Sequence, residues 1–382
     1  MGQENHLGIY IHIPFCVRKC LYCDFLSAPV GEADREAYCE MLCKEITEKG
    51  KESAKYSVDT IFLGGGTPSL LSGKQARKIM DAVFLNFRVE KDAEISMEAN
   101  PGTLSQETLS HYLGAGVNRL SIGLQSAHNE ELRALGRIHS YEDFLEGYEM
   151  AAQLGFSNLN VDLMLGIPGQ TLQSYLETLR MVTHLPCKPA HISAYSLIVE
   201  EGTPFSRHVE QLPDEDTERY MYHLGTEYLK GRGYEQYEIS NYARKGFESR
   251  HNCKYWKREN YLGLGLGASS MMENVRFKNT SVFRDYLAGD FKRKKEQVLS
   301  LPEQMEEFMF LGLRMREGVD EGRFEELFGK KLREVYAEPV QKYLKLGLLA
   351  EIKDLQKGST RLTLTARGID VSNTVMADFL FD

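Results

Sequence analysis

The sequence predicts an α/β protein that combines a partial (β/α)6 barrel with a mostly helical C-terminal domain. Two observations lead to this prediction. Short apolar runs alternate with amphipathic segments through the first half of the chain, which indicates parallel strands joined by helices. Six such units are too few to close an eight-stranded barrel. We therefore expect an incomplete barrel over residues 1–205.

The predicted barrel elements follow each other in strict alternation. Strands are expected at Gly8–Ile13, Val58–Leu63, Ala93–Glu98, Arg119–Gln125, Asn158–Leu165 and His191–Leu197. Apolar residues recur with helical spacing in Arg35–Lys49, Gly73–Leu85, Ser105–Gly114, Tyr141–Leu154 and Leu172–Leu185. Because parallel strands need long crossover connections, these helices fit between consecutive strands of one sheet.

The pattern changes after residue 205, where we predict a barrel extension over 206–290 and a C-terminal domain over 291–382. The extension has a helix at Asp214–Lys230 and a glycine-rich stretch at Gly263–Met272, and a charged linker follows at Asp290–Gln297. The C-terminal domain is expected to hold helices at Glu303–Arg316, Glu321–Phe328 and Glu334–Leu346, a hairpin at Leu349–Lys353 and Arg361–Thr365, and a last helix.

Composition excludes several classes of function. Lys and Arg total 46 against 55 Asp and Glu, a net charge of −9, so nucleic-acid binding is not expected. No run approaches the roughly 18 apolar residues of a membrane-spanning helix. Residues 1–6 lack the basic and apolar regions of a signal peptide, and His6 stands where a myristoylation signal needs Ser or Thr. We expect a cytoplasmic protein without a transmembrane segment; peripheral membrane contact is left open.

Three of the seven cysteines crowd into eight residues directly after the first strand. Cys16, Cys20 and Cys23 have the spacing C-x3-C-x2-C, and such crowding favours metal binding in a reducing compartment. A [4Fe–4S] cube takes one thiolate per iron, so three cysteines leave its fourth iron open for a small chelating ligand. A zinc site would need a fourth Cys or His at comparable spacing, and His12 is too close along the strand.

The second strand is followed by Gly64-Gly65-Gly66-Thr67-Pro68. Glycines let the backbone approach a ligand closely, and the Lys-Ser/Thr ending of a nucleotide P-loop is missing, so ATP binding is not indicated. Polar residues also stand near the ends of the later strands, where (β/α) barrels place their chemistry. These residues are Glu98, Gln125, Asp162 and Ser196. Arg137 could supply a guanidinium fork for a carboxylate.

Together, the cysteine triplet and the glycine-rich loop resemble the radical S-adenosylmethionine (SAM) superfamily. The resemblance implies a partial (β/α)6 radical SAM barrel, a [4Fe–4S] cluster, and SAM bound through its amino and carboxylate groups to the open iron. Three longer strings resemble the HemN-like group of coproporphyrinogen III dehydrogenases. They read YIHIPFC at 10–16, NRLSIGLQ at 118–125 and DLMLGIPGQT at 162–171.

This resemblance assigns expected ligand contacts by position. Tyr10, Gly65 and Glu98 correspond to contacts with the cluster-bound SAM. The positions that correspond to contacts with a second SAM in the dehydrogenase are Tyr22, Gly66, Thr67, Gln125, Arg137, Asp162 and, as a looser match, Ser196. Two departures separate the chain from the dehydrogenase: Phe25 stands where the enzyme carries a further Cys, and only nine residues precede Tyr10.

One further string, residues 251–256, reads HNCKYW and resembles the H-N-x-x-Y-W signature of HemW-type heme chaperones. The resemblance implies heme as a ligand and heme-acceptor proteins as partners. His251 is the expected axial ligand of heme iron, and Cys253 ranks second. Trp256, the one tryptophan of the chain, could pack against a porphyrin. We expect heme binding and transfer as the main role; the alternatives are coproporphyrinogen III dehydrogenase and a radical SAM enzyme that modifies heme.

Two other patterns receive structural interpretations. Gly263–Ala268 fits the dinucleotide fingerprint G-x-G-x-x-A but lacks a clear βαβ unit and a ribose-binding acid, so close backbone packing is expected. The C-terminal helices and hairpin suggest a winged helix, which in an acidic chain we interpret as a packing or partner-contact unit. Cys39, Cys43 and Cys187 are expected to be ordinary cysteines without metal.

Overall fold

The computed structural model describes residues 5–207, 211–354 and 358–381. Its first half is a curved sheet of six parallel strands in sequential order, which confirms the partial barrel. The strands are β1 (His6–Ile13), β2 (Ser57–Gly65), β3 (Arg88–Ala99), β4 (Arg119–Gln125), β5 (Asn158–Leu165) and β6 (His191–Ser196). The carboxyl ends of these strands meet at one end of the barrel, as parallel pairing requires.

Helices cover the outer face of this sheet. They are α1 (Glu32–Glu52), α2 (Gly73–Asn86), α3 (Gln106–Gly114), α4 (Asn129–Ala134), α5 (Tyr141–Gln153) and α6 (Leu172–Thr183). Four of them begin with a reciprocal cap, in which a Ser or Thr and the residue three positions later bond each other's backbone N–H. These caps stand at Ser72, Ser105, Ser140 and Thr171. They fix where α2, α3, α5 and α6 begin.

The extension adds strands to both edges of the barrel sheet. Its elements are α7 (Glu215–Gly231), β7 (Glu235–Glu238), β8 (Asn241–Ala243), α8 (Arg250–Trp256), β9 (Tyr261–Leu264), β10 (Ser269–Met272), β11 (Val275–Lys278), α9 (Phe283–Leu287) and β12 (Lys294–Val298). Strand β9 pairs parallel to β1, and β8 pairs antiparallel to β6. The result is one sheet of twelve strands.

The predicted linker at Asp290–Gln297 is wrong in its second half, because β12 pairs antiparallel to β11. Its charge is explained by its place at the outer edge of the sheet, where exposed charged side chains discourage pairing with other chains. The glycine-rich stretch packs closely, as expected. A Cβ on Gly263 would lie 2.3 Å from the Ser269 carbonyl oxygen, and one on Gly265 would lie 2.5 Å from the Tyr38 hydroxyl.

The C-terminal region has its own apolar core within residues 305–379. It consists of α10 (Leu301–Arg314), β13 (Val319–Asp320), α11 (Glu321–Phe328), α12 (Leu332–Val335), α13 (Ala337–Lys345), β14 (Leu349–Asp354), β15 (Ser359–Leu364), α14 (Ala366–Asp370) and α15 (Ser372–Ala377). The single helix expected at Glu334–Leu346 is broken between α12 and α13. Pro339 would clash with the carbonyl of Val335, the last residue of α12.

Strand β13 is a third strand beside the predicted hairpin and was not expected from its two residues. No helix in the described residues has the length and apolar character needed to cross a membrane.

Candidate functional site

The three clustered cysteines lie on the loop between β1 and α1, at the end of the barrel where the strands finish. Cys16, Cys20 and Cys23 all line a cavity of about 350 Å³, here called the cluster pocket. The loop is pinned by backbone hydrogen bonds: Cys16 N donates to Ala28 O at 3.2 Å, and Cys23 N donates to Cys20 O at 3.2 Å. All three thiols are free of disulfides, so each is available to a metal.

The residues around these thiols fit an iron–sulfur cluster with a charged ligand. Arg137 donates from one guanidinium nitrogen to Cys20 Sγ at 3.5 Å, and Thr67 Oγ1 donates to Cys16 Sγ at 3.6 Å. Hydrogen bonds to the sulfurs are one means by which a protein tunes such clusters. Arg137 Nε is buried and has no hydrogen-bond partner within the described residues. This orphaned donor and the open thiols fit a group that the pocket would hold.

Single-ion binding has less support in the geometry. No group of three or more His, Cys, Asp or Glu side chains in the described residues is placed to hold one metal ion. A cube spreads its thiolates over different irons, whereas zinc takes all its ligands at about 2.0–2.3 Å. The arrangement therefore suits a cluster. When bound, a [4Fe–4S] cluster with SAM would supply one-electron reduction of the sulfonium.

The glycine-rich loop forms the wall of the pocket next to the cysteines. Gly65 has φ of +112°, and a Cβ there would lie 2.4 Å from the His12 ring. A Cβ on Gly66 would lie 2.6 Å from the Phe15 carbonyl oxygen. Only glycine fits this turn, which brings β2 against the cysteine loop. The Gly65 N–H then donates to Glu98 Oε2 at 2.9 Å and orients that carboxylate.

Glu98 is the carboxyl group whose environment most favours a proton in this pocket. Its pKa is raised to about 7, mainly by burial and then by the nearby Asp162 carboxylate, against the opposing effects of the Gly65 N–H and Arg119. A cationic ligand in the pocket would reverse part of this shift, because it stabilises the ionised carboxylate. Glu98 is therefore suited to receive a positively charged group.

Most of the residues predicted for ligand binding come together around the cluster pocket. Those that line it are Tyr22, Gly65, Gly66, Thr67, Glu98, Gln125, Arg137, Asp162 and Ser196. Tyr10 is not in this lining. Its hydroxyl bonds His12 Nδ1 at 3.0 Å, its ring stacks on Phe62, and Glu98 lies near enough to help raise its pKa.

Asn100 and Tyr195 are among the lining residues that were not identified from the sequence. Asn100 accepts a hydrogen bond from Arg137 at 3.0 Å and donates to Thr67 Oγ1 at 3.0 Å, so it joins two predicted residues. Its place directly after β3 was a usable signal. Tyr195 donates to Gln125 Oε1 at 2.9 Å, and Gln125 has an unusual φ of +74°. That backbone conformation is not visible in the sequence.

The HNxxYW string occupies α8, at the opposite end of the barrel. Glu94, in the middle of β3 and before the residues that pair with β4, accepts hydrogen bonds from the backbone N–H groups of Arg250 and His251 at 3.0 and 3.1 Å. Thr60, near the start of β2, bonds His251 Nδ1 at 2.9 Å. The helix thus closes the barrel at the amino ends of its strands, and we call it the floor helix.

The structure places His251 inside the barrel floor, and the expected axial ligand has no free nitrogen in this conformation. Its side chain is fully buried, its ring stacks on Phe62 with centroids 5.3 Å apart, and Nε2 bonds the Tyr255 hydroxyl at 2.8 Å. Burial, assisted by Lys254 and Arg119, lowers its pKa to about 3, so the ring is neutral at physiological pH. Iron ligation through Nε2 would require Tyr255 to move.

Cys253 and Trp256 face other surroundings. Cys253 lines a groove of about 800 Å³ between the floor helix and the segment after α10. Burial raises the pKa of its thiol to about 12. Trp256 packs under the Arg314 guanidinium of α10, 4.3 Å from the ring centroid, so it joins the barrel to the C-terminal region. In this structure the Trp256 ring contacts Arg314, and its packing on a porphyrin stays a prediction.

Known proteins share the sequence patterns and the fold of this chain. The family model for the radical SAM superfamily matches residues 10–182, and that for the HemN C-terminal domain matches residues 299–371. The solved structure of coproporphyrinogen III oxidase (HemN) from Escherichia coli, a radical SAM enzyme, has a TM-score of 0.83 at 23% identity. The superposition covers 98% of this chain and 90% of that one, which shows a shared fold.

Relatives in sequence identify the family more narrowly than the shared fold does. Heme chaperone HemW of Lactococcus lactis is 37% identical, covering 98% of this chain and 97% of the relative. Heme chaperone HemW of Bacillus subtilis is 36% identical over 97% and 98%, and that of Escherichia coli K12 is 39% identical over 79% and 81%. Similarity at this level over nearly full length identifies the family. The chain belongs to the HemW family of the radical SAM superfamily.

Proposed function

We propose that this protein is a cytoplasmic heme chaperone that binds heme and transfers it to acceptor proteins, with a SAM-coordinated [4Fe–4S] cluster in its barrel. The heme chaperone relatives, similar over nearly the whole chain, support this function. The observation that carries it is the position of the HNxxYW string. The floor helix that bears the string forms one wall of an open groove of about 800 Å³, within the usual size of ligand pockets.

Four basic residues line this groove beside four acidic ones: Arg250, Lys254, Lys257 and Arg316, and Asp59, Glu248, Glu259 and Glu317. Lys254 and Lys257 are already engaged in ion pairs, with Asp59 at 2.9 Å and with Glu317 at 3.1 Å. Arg250 and Arg316, which also line the groove, donate instead to backbone carbonyls. A guanidinium that bonds only a carbonyl retains donors for a propionate. We propose heme binding in this groove, with its propionates toward these arginines.

Two residues are proposed as the iron ligand, and they differ in what ligation requires. For His251, Tyr255 must release Nε2 and the ring must leave its place against Phe62. For Cys253, which already lines the groove, the thiol must lose its proton to solvent as its sulfur binds the iron. His251 is supported by its place in the family string and Cys253 by its accessibility. Their spectra distinguish them, because histidine-ligated and thiolate-ligated heme absorb differently.

In the barrel, we propose Cys16, Cys20 and Cys23 as the cluster ligands, with SAM on the open iron. Tyr10, Gly65 and Glu98 would serve this SAM, Glu98 through its carboxylate and Gly65 by orienting it. The residues that correspond to contacts with a second SAM in the dehydrogenase line the same pocket and are proposed to contact SAM there: Tyr22, Gly66, Thr67, Gln125, Arg137, Asp162 and, as a looser match, Ser196. Their common support is the pocket that they line beside the three thiols.

The test is anaerobic reconstitution with iron, sulfide and SAM, then heme titration and mixing with an apo-globin. We expect a Soret band that grows to saturation and then moves to the globin. His251→Ala or Cys253→Ala should remove the ligand-specific part of the spectrum, according to which residue binds iron. A protein that binds no heme under these conditions would contradict the proposed function.

The same preparation tests the dehydrogenase alternative. Phe25, where the dehydrogenase carries a further Cys, lies on the rim of the cluster pocket with 64% of its surface exposed. We expect no protoporphyrinogen when coproporphyrinogen is added to the reconstituted protein. Sustained turnover would favour the enzyme over the chaperone.

A further inference from the structure

A chain of hydrogen bonds runs through the barrel from the groove to the cluster pocket. It starts in the groove at Tyr237, whose hydroxyl bonds His191 Nε2 at 2.8 Å. His191 Nδ1 bonds Asn160 Oδ1 at 2.6 Å, and Asn160 Nδ2 donates to Asp162 Oδ1 at 2.7 Å. Asp162 lines the cluster pocket. His191 and Asn160 are almost completely buried, so each depends on its partners in this chain.

The hydrogen bonds of this chain all donate in the same direction, from Tyr237 toward Asp162. Asn160 Oδ1 can only accept, so the proton between it and His191 sits on Nδ1. His191 Nε2 is then an acceptor, and the Tyr237 hydroxyl donates to it. With its oxygen held by His191, Asn160 must present its amide nitrogen to the Asp162 carboxylate. A reversed amide would instead set oxygen against oxygen at 2.7 Å.

The carboxylate receives a second donor from the same network. Asn160 Nδ2 also lies 2.7 Å from Ser121 Oγ, and Ser121 Oγ donates to Asp162 Oδ2 at 3.0 Å. Both oxygens of Asp162 therefore have donors, which fix the plane of the carboxyl group. A carboxylate held in this orientation can accept hydrogen bonds from ribose hydroxyls or an ammonium group in the pocket.

We infer that His191 and Asn160 are positioning residues, which hold Asp162 in the orientation that binds SAM in the cluster pocket. The inference rests on the proposed binding of SAM in that pocket. Neither residue lines the pocket, and neither was singled out by its sequence pattern. Their buried polar side chains are explained by the carboxylate that they orient, because buried polar groups are costly unless they are paired.

The test compares SAM affinity among variants of the cluster-loaded protein by isothermal titration calorimetry. His191→Leu removes the donor to Asn160, and we expect SAM binding to weaken roughly tenfold, the value of one hydrogen bond to a charged group. His191→Gln can still donate to Asn160 and accept from Tyr237, so it should restore most of the affinity. Cluster absorbance and urea unfolding report whether the variants are otherwise intact.

A second pair of variants keeps the test decisive if His191→Leu does not fold. Tyr237→Phe removes the first donor of the chain, and we expect about threefold weaker SAM binding. Tyr234→Phe is the matched control, because its hydroxyl donates to the Pro189 carbonyl outside the chain. Wild-type affinity in intact His191→Leu, or in Tyr237→Phe where the former does not fold, would overturn the inference. A wild-type protein that binds no SAM would overturn the SAM site itself.

Discussion

The two ends of the barrel treat their signature residues in opposite ways. At the carboxyl ends of the strands, Cys16, Cys20 and Cys23 line an open pocket, and Arg137 Nε there has no hydrogen-bond partner among the residues that the structure describes. At the floor, His251 is fully buried with both ring nitrogens bonded. The first end has groups that are ready for a ligand, whereas the second has groups whose bonding capacity is spent inside the protein.

This difference shows two reasons why a short sequence string can be typical of a family. The cysteine spacing places three free thiols beside one pocket, where we propose that they bind the cluster themselves. Much of the HNxxYW string secures a helix: His251 anchors it to the barrel, and Trp256 packs on Arg314 of the C-terminal region. A family sequence string therefore marks an important region of the fold. The burial of each residue in the string then shows which side chains can contact a ligand.

The largest predicted effect is at the pocket end. Replacing Cys16, Cys20 or Cys23 by Ser should abolish the brown chromophore of the reconstituted protein, because we propose that each thiolate holds its own iron. Absorbance near 400 nm (roughly the range of iron–sulfur charge transfer) and iron content measure this. Cys187→Ser, at an exposed and distant cysteine, is the control and should keep the chromophore. Equal loss in the control would remove the distinction between the cysteines.

The next effect is at the floor. His251→Ala removes a fully buried ring and leaves Thr60 and Tyr255 without a bonding partner, so unfolding should become easier by about 2–4 kcal/mol. Urea unfolding measures this loss. His128→Ala, at a partly exposed histidine, should cost less than about 1 kcal/mol. If both variants unfold alike, His251 does not anchor the floor helix.

The smallest effect concerns the protonation of Glu98. Its pKa of about 7 means that the carboxyl is mostly protonated at pH 6 and mostly ionised at pH 8. Because a cationic ligand requires the ionised form, SAM affinity should rise with pH and be roughly tenfold weaker at pH 6 than at pH 8. Calorimetry at several pH values measures this slope. Glu98→Gln should flatten it, and a flat wild-type profile would contradict the role of Glu98.

The sequence predicted the barrel well because its signals are local. Strand runs such as Arg119–Gln125 and Asn158–Leu165 have the predicted bounds, since apolar β-rich segments and Ser or Thr caps act over few residues. Strand β12 was missed because its charged residues read as a linker, and only its edge position explains them. Pro339 is a visible signal for a break, but the helical spacing of the residues around it led to the prediction of one continuous helix.

For the candidate site, the sequence predicted some of the residues and missed others. Residues at strand ends, such as Glu98 and Ser196, are brought together by the parallel topology that the sequence indicates. The burial of His251 could not be predicted, because it depends on Thr60 and Glu94 from distant strands. For the same reason the chain through Asn160 and His191 is visible only in three dimensions.

The central claim is that heme and the cluster occupy separate sites at opposite ends of the barrel. Its most direct test is heme titration of the cluster-loaded protein beside a Cys16→Ser, Cys20→Ser, Cys23→Ser variant that holds no cluster. Independent sites predict the same heme stoichiometry and affinities that agree within about twofold. Loss of heme binding together with the cluster would place both ligands in one site and contradict this account.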